Sequence, residues 1–299
     1  MRPIVLLTSL LLLNACKNEE PAKLKRLERF QTENELLPRD VDVWTPAGYP
    51  EAGVTYKALY MHDGQMLFDS TNSWNHQEWM VDERLQELMD EETILPTIVI
   101  AVHNSEERFV DYTPLAPLAY ITDTTYSDLL DIRTNGLTPK SDAYLEFLVQ
   151  TVKPYIDSNY AVSGKREDTF ISGSSMGGLI SLYALMAYPE VFGGAACLST
   201  HWPLSLEVED ERFTLAYIDY MRNRLPFKEK AKLYFDHGDQ GLDSRYPALQ
   251  ARVDSFFYNN DTWGIDYVSK AFPGDDHTER DWSERLEIPM TFLLGRKEE

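Results

Sequence analysis

The stretch Thr169–Glu190, TFISGSSMGGLISLYALMAYPE, runs from a β-branched and aromatic segment through a glycine cluster into an apolar run of helical character. Gly173 to Gly177 fits G-x-S-x-G in one register only, and that register selects Ser175. Such a pattern demands a sharp strand-to-helix turn that holds the serine in a strained backbone conformation. Bulk two residues to either side would collide, which accounts for Gly173 and Gly177. Gly178 lets the helix pack closely. The first amides of a helix that begins here point toward an anion beside Ser175 Oγ. Ser174 fails the register because Ser172 and Met176 flank it.

A serine hydroxyl is a weak nucleophile near neutral pH and needs a base, most often histidine. The chain offers His62, His76, His103, His201, His237 and His277. In a fold built around this turn the base comes last, on a loop after the final strand. VSKAFPGDDHTERDW supplies a strand, a Pro-Gly turn and then His277. His62, His103 and His237 stand at the ends of expected strands, where structural roles suffice, and His76 and His201 fall in loops. No pair has the spacing of metal ligands, so no metal site is expected. The orienting acid belongs between nucleophile and base, after the penultimate strand. KLYFDHGDQGLDSRYPALQ offers Asp236, Asp239 and Asp243. Asp236 continues the strand, so Asp243 is favoured, with Asp239 as the alternative.

The rest of the chain suits the same architecture. Thr55–Gly64 and Pro96–Asn104 are continuous apolar runs ending in polar residues, as parallel strands buried on both faces do. Arg39–Pro46 alternates with period two, like an outer strand. Residues 75–92 carry Trp79, Leu85, Leu88 and Met89 at helical spacing. A helix over 141–160 has Ser141 as its expected N-cap and Pro154 as a kink or stop. Further strands are expected at Thr169–Ser172, Lys232–Phe235 and Ile265–Phe272. This alternation argues for an α/β fold, with a mostly parallel central sheet and helices on both faces. Two stretches, about 105–140 and 200–230, read as irregular insertions that face the substrate.

Residues 1–15 read as a lipoprotein signal peptide. The apolar run Ile4–Leu13 makes only about 15 Å of helix, roughly half of a ~30 Å hydrocarbon core. The ending LNAC makes Cys16 the expected lipidation site, followed by a tether over 16–24 and the main domain over 25–299. Cys197 is then the only other cysteine, which leaves no internal disulfide. The sequence carries 28 Lys plus Arg against 49 Asp plus Glu, a formal charge of −21, and cleavage before Cys16 makes it −22. Such a surface repels phosphate backbones, so nucleic acid is not an expected partner, and membrane attachment would come from lipid.

With these residues in place, the chain resembles the putative-esterase family of α/β-hydrolases, which includes esterase D, enterochelin esterases, carbohydrate esterase family 1 and the mycolyltransferases. The resemblance runs from about Arg39 to Leu294, through RDVDVWTPAGY, LYMHDGQMLFD, ISGSSMGGLISLYALMAYPEVFGGAACLS and FPGDDHTERDWSERLEIPMTFLL. It implies that Ser175, Asp243 and His277 form a catalytic set that needs no cofactor. It also implies that the amides of Gln65 and Met176 form the oxyanion hole. His277, Glu279 and Trp282 match the family's base loop. Relatives often place the acid three residues after the strand-end glycine, where this chain has Gly241.

The implied activity is hydrolysis of carboxylic esters through an acyl-enzyme. Loop aromatics (Trp74, Trp202, Tyr112, Tyr120) suit acyl or feruloyl esters of carbohydrates. A siderophore-ester hydrolase is the alternative, with Arg108 as the cation that would meet an anionic ligand. Peptidase activity is a lesser option on this fold. A lipoprotein that keeps the fold and only binds a ligand is the reading of a different class.

Overall fold

The computed structural model describes residues 20–30, 36–71, 73–123, 125–205, 210–260 and 263–296. The signal-peptide expectation and Cys16 lie outside these residues. Among the described residues no helix is long and apolar enough to cross a membrane.

Eight strands form one sheet: β1 (Lys23–Phe30), β2 (Arg39–Thr45), β3 (Lys57–His62), β4 (Thr97–Val102), β5 (Thr169–Ser174), β6 (Gly194–Leu198), β7 (Ala231–His237) and β8 (Ile265–Ala271). Their spatial order is β1-β2-β4-β3-β5-β6-β7-β8. The β1–β2 and β2–β4 pairs are antiparallel, and every pair from β4 to β8 is parallel. The continuous apolar runs have a simple cause. In β3, Ala58 and Tyr60 feed one core while Leu59 and Met61 feed the other; Ile98, Ile100 and Val102 of β4 likewise oppose Val99 and Ala101. Both faces are covered by helices, as the composition of such strands requires.

One face carries the helices Met176–Ala187, Arg212–Arg224 and Pro247–Tyr258, with Leu179, Tyr217 and Val253 in its core. The other carries Val81–Asp90 and the pair Glu279–Arg285 and Glu287–Leu294, which bury Leu85, Trp282 and Met290. From β3 the chain crosses to β4 on one side, then returns to β5 on the other. The crevice beyond the carboxyl ends of β3 and β5 is therefore the topological switch point, where open α/β sheets bind ligands.

Several expectations are revised. The segment expected as tether over 16–24 gives up Lys23 and Leu24 to β1, which pairs along β2. The helix expected over 75–92 begins at Val81, because Met80 takes a left-handed conformation (φ 52°). Trp79 packs into the core ahead of it. Pro154 does not end its helix. A π-helical stretch, Phe147–Val152, precedes it and Lys153–Asn159 continues, so the widened turn accommodates the missing N–H. Ser141 is the first residue of that helix and not its N-cap, a place taken by Lys140, and its Oγ accepts instead from Leu115 N at 2.9 Å.

The stretch 200–230 is not irregular, since the helix Arg212–Arg224 buries Phe213, Tyr217 and Met221. Short helices at Arg108–Tyr112, Leu115–Leu118 and Thr125–Thr134 likewise organise much of 105–140. β6 escapes a pattern search because four of the five residues of GAACL are small. A Cβ on Gly194 would sit 2.7 Å from Lys232 O on the neighbouring strand.

Candidate active site

Ser175 follows β5 and precedes the helix Met176–Ala187, with φ 57° and ψ −119°, a region L-residues seldom occupy. The surroundings hold the strain in place. Ser175 N donates to Leu198 O at 2.9 Å, and its own carbonyl accepts from Gly178 N at 3.0 Å. A Cβ on Gly173 would lie 2.9 Å from the Gly177 carbonyl carbon, and one on Gly178 would lie 2.8 Å from Thr200 Oγ1. Gly173 and Gly178 are thus held to glycine by close approach, whereas a Cβ on Gly177 would come no nearer than 3.4 Å to Asp63 Oδ2 and His62 Cβ, so the collision expected there is absent. Met176 supplies the first amide of the helix, a position whose N–H has no partner within the helix. Its side chain is buried.

Across the switch point, the loop after β3 presents Asp63 in a left-handed conformation (φ 58°), followed by a 3-10 turn over Gly64–Met66. Gln65 lies in that turn, and its Oε1 accepts from Asn104 N at 3.1 Å. Gln65, Ser175 and His277 line the same cavity, of about 690 Å³. Three separate loops therefore converge on one space.

His277 precedes the helix Glu279–Arg285, whose N-cap Thr278 accepts from Asp281 N at 3.2 Å. Its Nδ1 meets Asp243 Oδ1 at 2.6 Å. Asp243 is 0% exposed, while the imidazole keeps 15% of its surface. The other carboxylate oxygen, Oδ2, accepts from Ser199 Oγ at 2.6 Å and from Gly238 N at 2.7 Å. Burial alone would raise the Asp243 carboxyl, but the bonds from His277, Ser199 and Gly238 outweigh it and hold the group below the usual carboxylate range. Ser199 Oγ in turn accepts from Trp282 Nε1 at 2.9 Å and from Arg285 Nη2 at 3.0 Å. With two donors on that oxygen, its own proton is directed to Asp243. Trp282 also stands edge-on to the His277 ring, with centroids 4.9 Å apart.

Asp239 is exposed and separate from His277. Its Oδ1 accepts from Gly274 N at 2.8 Å and so braces the Pro-Gly turn. Asp236 is buried and paired with Arg285 at 3.0 Å. Gly241 has φ 50°, and a Cβ there would overlap the Asp276 carboxylate. A side chain there would have to displace the Asp276 carboxylate from a strained backbone, and Asp243 reaches His277 from two residues further on.

His62, His103 and His237 serve elsewhere, while His201 packs behind the turn with its backbone N donating to the Ser175 carbonyl at 3.2 Å. His62 Nδ1 bonds the Tyr144 hydroxyl at 2.7 Å, His103 Nε2 bonds Asp42 at 2.8 Å, and His237 Nδ1 donates to Gly238 O at 2.6 Å. Burial pushes His62 and His201 down to about 3, so both are neutral. Among the described residues no group of His, Cys, Asp and Glu could hold a metal ion.

Arg108 borders the cavity, but its fork is taken up by Asp63, with Nε–Oδ1 and Nη2–Oδ2 both at 2.7 Å. This pairing overcomes the burial that would raise Asp63 and keeps its carboxyl low. Trp74 stands at the cavity rim, 82% exposed. Trp202 and Tyr112, by contrast, are core residues. Asn75 Nδ2 donates to Glu279 Oε2 at 2.6 Å within the same cavity.

The family model described as "Putative esterase" matches residues 37–287. A protein of Bacillus subtilis (strain 168), uncharacterized YbbA, is 27% identical over 165 residues, which are 55% of this chain and 58% of that protein. The chain thus spans little more than half the length of this curated relative. A ferulic acid esterase structure superposes with a TM-score of 0.63 at 16% identity, covering 92% of this chain and 98% of that one. The enterobactin esterase FES from Shigella flexneri, solved with 2,3-dihydroxy-N-benzoyl-glycine present, gives a TM-score of 0.60 at 18% identity, covering 91% and 59%. At these identities the structural likeness establishes the α/β-hydrolase architecture.

Proposed function

We propose, for a chain that belongs to the putative-esterase family, that it is a serine carboxylesterase acting through an acyl-enzyme. One observation carries the reading. Ser175, on its strained turn, opens onto the same cavity as His277, whose far nitrogen is held by the buried Asp243.

Ser175 Oγ attacks the ester carbonyl carbon as His277 Nε2 takes its proton. Asp243 fixes the proton of the neutral imidazole on Nδ1 and stabilises the imidazolium that forms. The Gln65 and Met176 amides receive the oxyanion, each donor being worth on the order of 10²–10³ in rate. The tetrahedral intermediate collapses when His277 gives its proton to the departing alcohol. Water, deprotonated by the same imidazole, then releases the acid and restores Ser175.

The cavity supports a hydroxyl-rich substrate. Asn75, Gln77 and Asn104 offer amides along its walls, Glu279 offers a carboxylate, and Trp74 presents an open indole face at the rim. Acyl or feruloyl esters of carbohydrates fit these walls. Arg108 is a poorer match for an anionic siderophore, because Asp63 offsets its charge. The sequence around Cys16 supports export and attachment by a lipid anchor to a bacterial membrane, on its periplasmic or cell-surface side. Incorporation of labelled palmitate that survives Cys16→Ala would contradict that anchor.

A fluorophosphonate probe tests the central assignment. The wild type is labelled covalently and Ser175→Ala is not. Equal labelling of both would remove Ser175 as the nucleophile.

A further inference from the structure

The hydroxyl behind Asp243 has only one orientation open to it. Ser199 follows β6 in a left-handed conformation (φ 41°), and its backbone N donates to Asp236 O at 2.9 Å and to Asp236 Oδ1 at 3.2 Å. The residue is wholly enclosed, so it meets no substrate. Ser199 Oγ accepts from Trp282 Nε1 at 2.9 Å and from Arg285 Nη2 at 3.0 Å. An indole and a guanidinium can only donate. A hydroxyl has two lone pairs and one hydrogen, so these two donors fill its acceptor positions. The single hydrogen is left for Asp243 Oδ2, 2.6 Å away.

We propose that Ser199 is a positioning residue for the catalytic acid, passing the fixed geometry of Trp282 and Arg285 on to the Asp243 carboxylate. The inference rests on the roles given above to Ser175, Asp243 and His277.

Arg285 does not serve Asp243 directly. The two hydrogens of its Nη2 go to Ser199 Oγ and Asp236 Oδ1, each at 3.0 Å, and Nη1 donates to Asp275 Oδ2 at 2.7 Å. Two carboxylates thus anchor the guanidinium, and what reaches Asp243 is one neutral hydroxyl. The difference has a chemical use. A guanidinium bonded straight to Asp243 would compensate the negative charge that the imidazolium at His277 needs. The hydroxyl instead fixes Oδ2, together with Gly238 N at 2.7 Å, and leaves Oδ1 facing His277.

The origin of the two donors matters as well. Trp282 and Arg285 both lie on the helix Glu279–Arg285, which begins two residues after His277. Trp282 also stands edge-on to the His277 ring. One helix therefore places the base by direct contact and the acid through Ser199, and the two partners share a single frame.

Ser199→Ala removes the hydroxyl and leaves the cavity walls as they are. With a p-nitrophenyl ester, kcat falls about tenfold, the effect of one lost hydrogen bond, while KM stays within about twofold. Ser199→Cys fills the space but offers only a weak donor, and it loses about as much. The double variant Ser199→Ala/Asp243→Asn is no slower than Asp243→Asn alone, because the hydroxyl acts only through the carboxylate. Far-UV circular dichroism establishes folding in each case, and Ser199→Cys carries the test if the alanine chain does not fold. A wild-type kcat in either folded Ser199 variant overturns the proposal. So does a further tenfold loss in the double variant, which would put the effect of the hydroxyl elsewhere in the fold. Fluorophosphonate labelling that persists in Ser175→Ala would instead defeat the nucleophile assignment on which this inference rests.

Discussion

His277 Nδ1 and Asp243 Oδ1 stand 2.6 Å apart, the aspartate wholly enclosed and the imidazole still reached by solvent. The asymmetry matters chemically. An enclosed carboxylate bonded by Ser199 and Gly238 has no freedom to turn from the ring, whereas the ring's other nitrogen must stay open to substrate.

Replacing Asp243 with Asn removes the charge and permits the wrong tautomer of His277. Activity on a p-nitrophenyl ester should fall by about 10³–10⁴-fold. Asp239→Asn should stay within about twofold of the wild type, because an Asn oxygen can still accept from Gly274 N. Steady-state kinetics on the two variants compares them directly, and a reversed order would transfer the acid's role to Asp239.

Gly241 occupies the position where relatives often carry the acid. A side chain there would run into the Asp276 carboxylate from a backbone at φ 50°. The pair Gly241→Asp with Asp243→Ala should therefore recover none of the activity lost in Asp243→Ala alone. Recovery beyond about tenfold would show that the Asp276 loop yields, against the packing described here.

Trp74 is the exposed indole at the cavity rim. Trp74→Ala should raise KM several-fold for an acylated or feruloylated oligosaccharide, through lost stacking worth about 1 kcal/mol. It should leave kcat, and all constants for p-nitrophenyl acetate, unchanged. An equal loss on both substrates would mean that the indole shapes the reacting centre and not the sugar subsite.

His62 and His201 stay neutral in the fold down to about 3, against about 6.5 for a free imidazole. Between those values the unfolded chain binds protons that the folded chain refuses. Stability must then decrease as pH falls below about 6.5. Urea unfolding at pH 6.5, 5.5 and 4.5 should show this decline. His62→Gln should flatten it by about one proton's worth, close to 1.4 kcal/mol per pH unit. A variant with the wild-type slope would mean that His62 charges freely in the folded protein.

Much of the site was legible because its parts are local. The turn around Ser175 is signalled by residues within four positions, although Leu198 and Thr200 help to hold it, and the loop carrying His277 announces itself by a strand, a Pro-Gly turn and a helix start. The network behind Asp243 has no such signature. Ser199 lies 44 residues from Asp243, 83 from Trp282 and 86 from Arg285, so only the folded sheet brings them together. β1 was missed because its charged, exposed residues hold it to β2 through the backbone ladder more than through any apolar face. The helix Arg212–Arg224 mixes arginines with tyrosines, whose aromatic bodies are buried, and so lacks a clean apolar stripe.

That outermost strand has one more effect. Among the described residues nothing pairs with the outer edge of KLKRLERF, a row of amides and carbonyls onto which another polypeptide could zip. Four cations lie along it, but Lys23 pairs with Glu20, Arg26 pairs with Asp42, and Glu28 interrupts them, which leaves Lys25 and Arg29 to oppose their counterparts. A second copy approaching edge to edge would set those two charges against their own kind, which discourages strand-to-strand stacking.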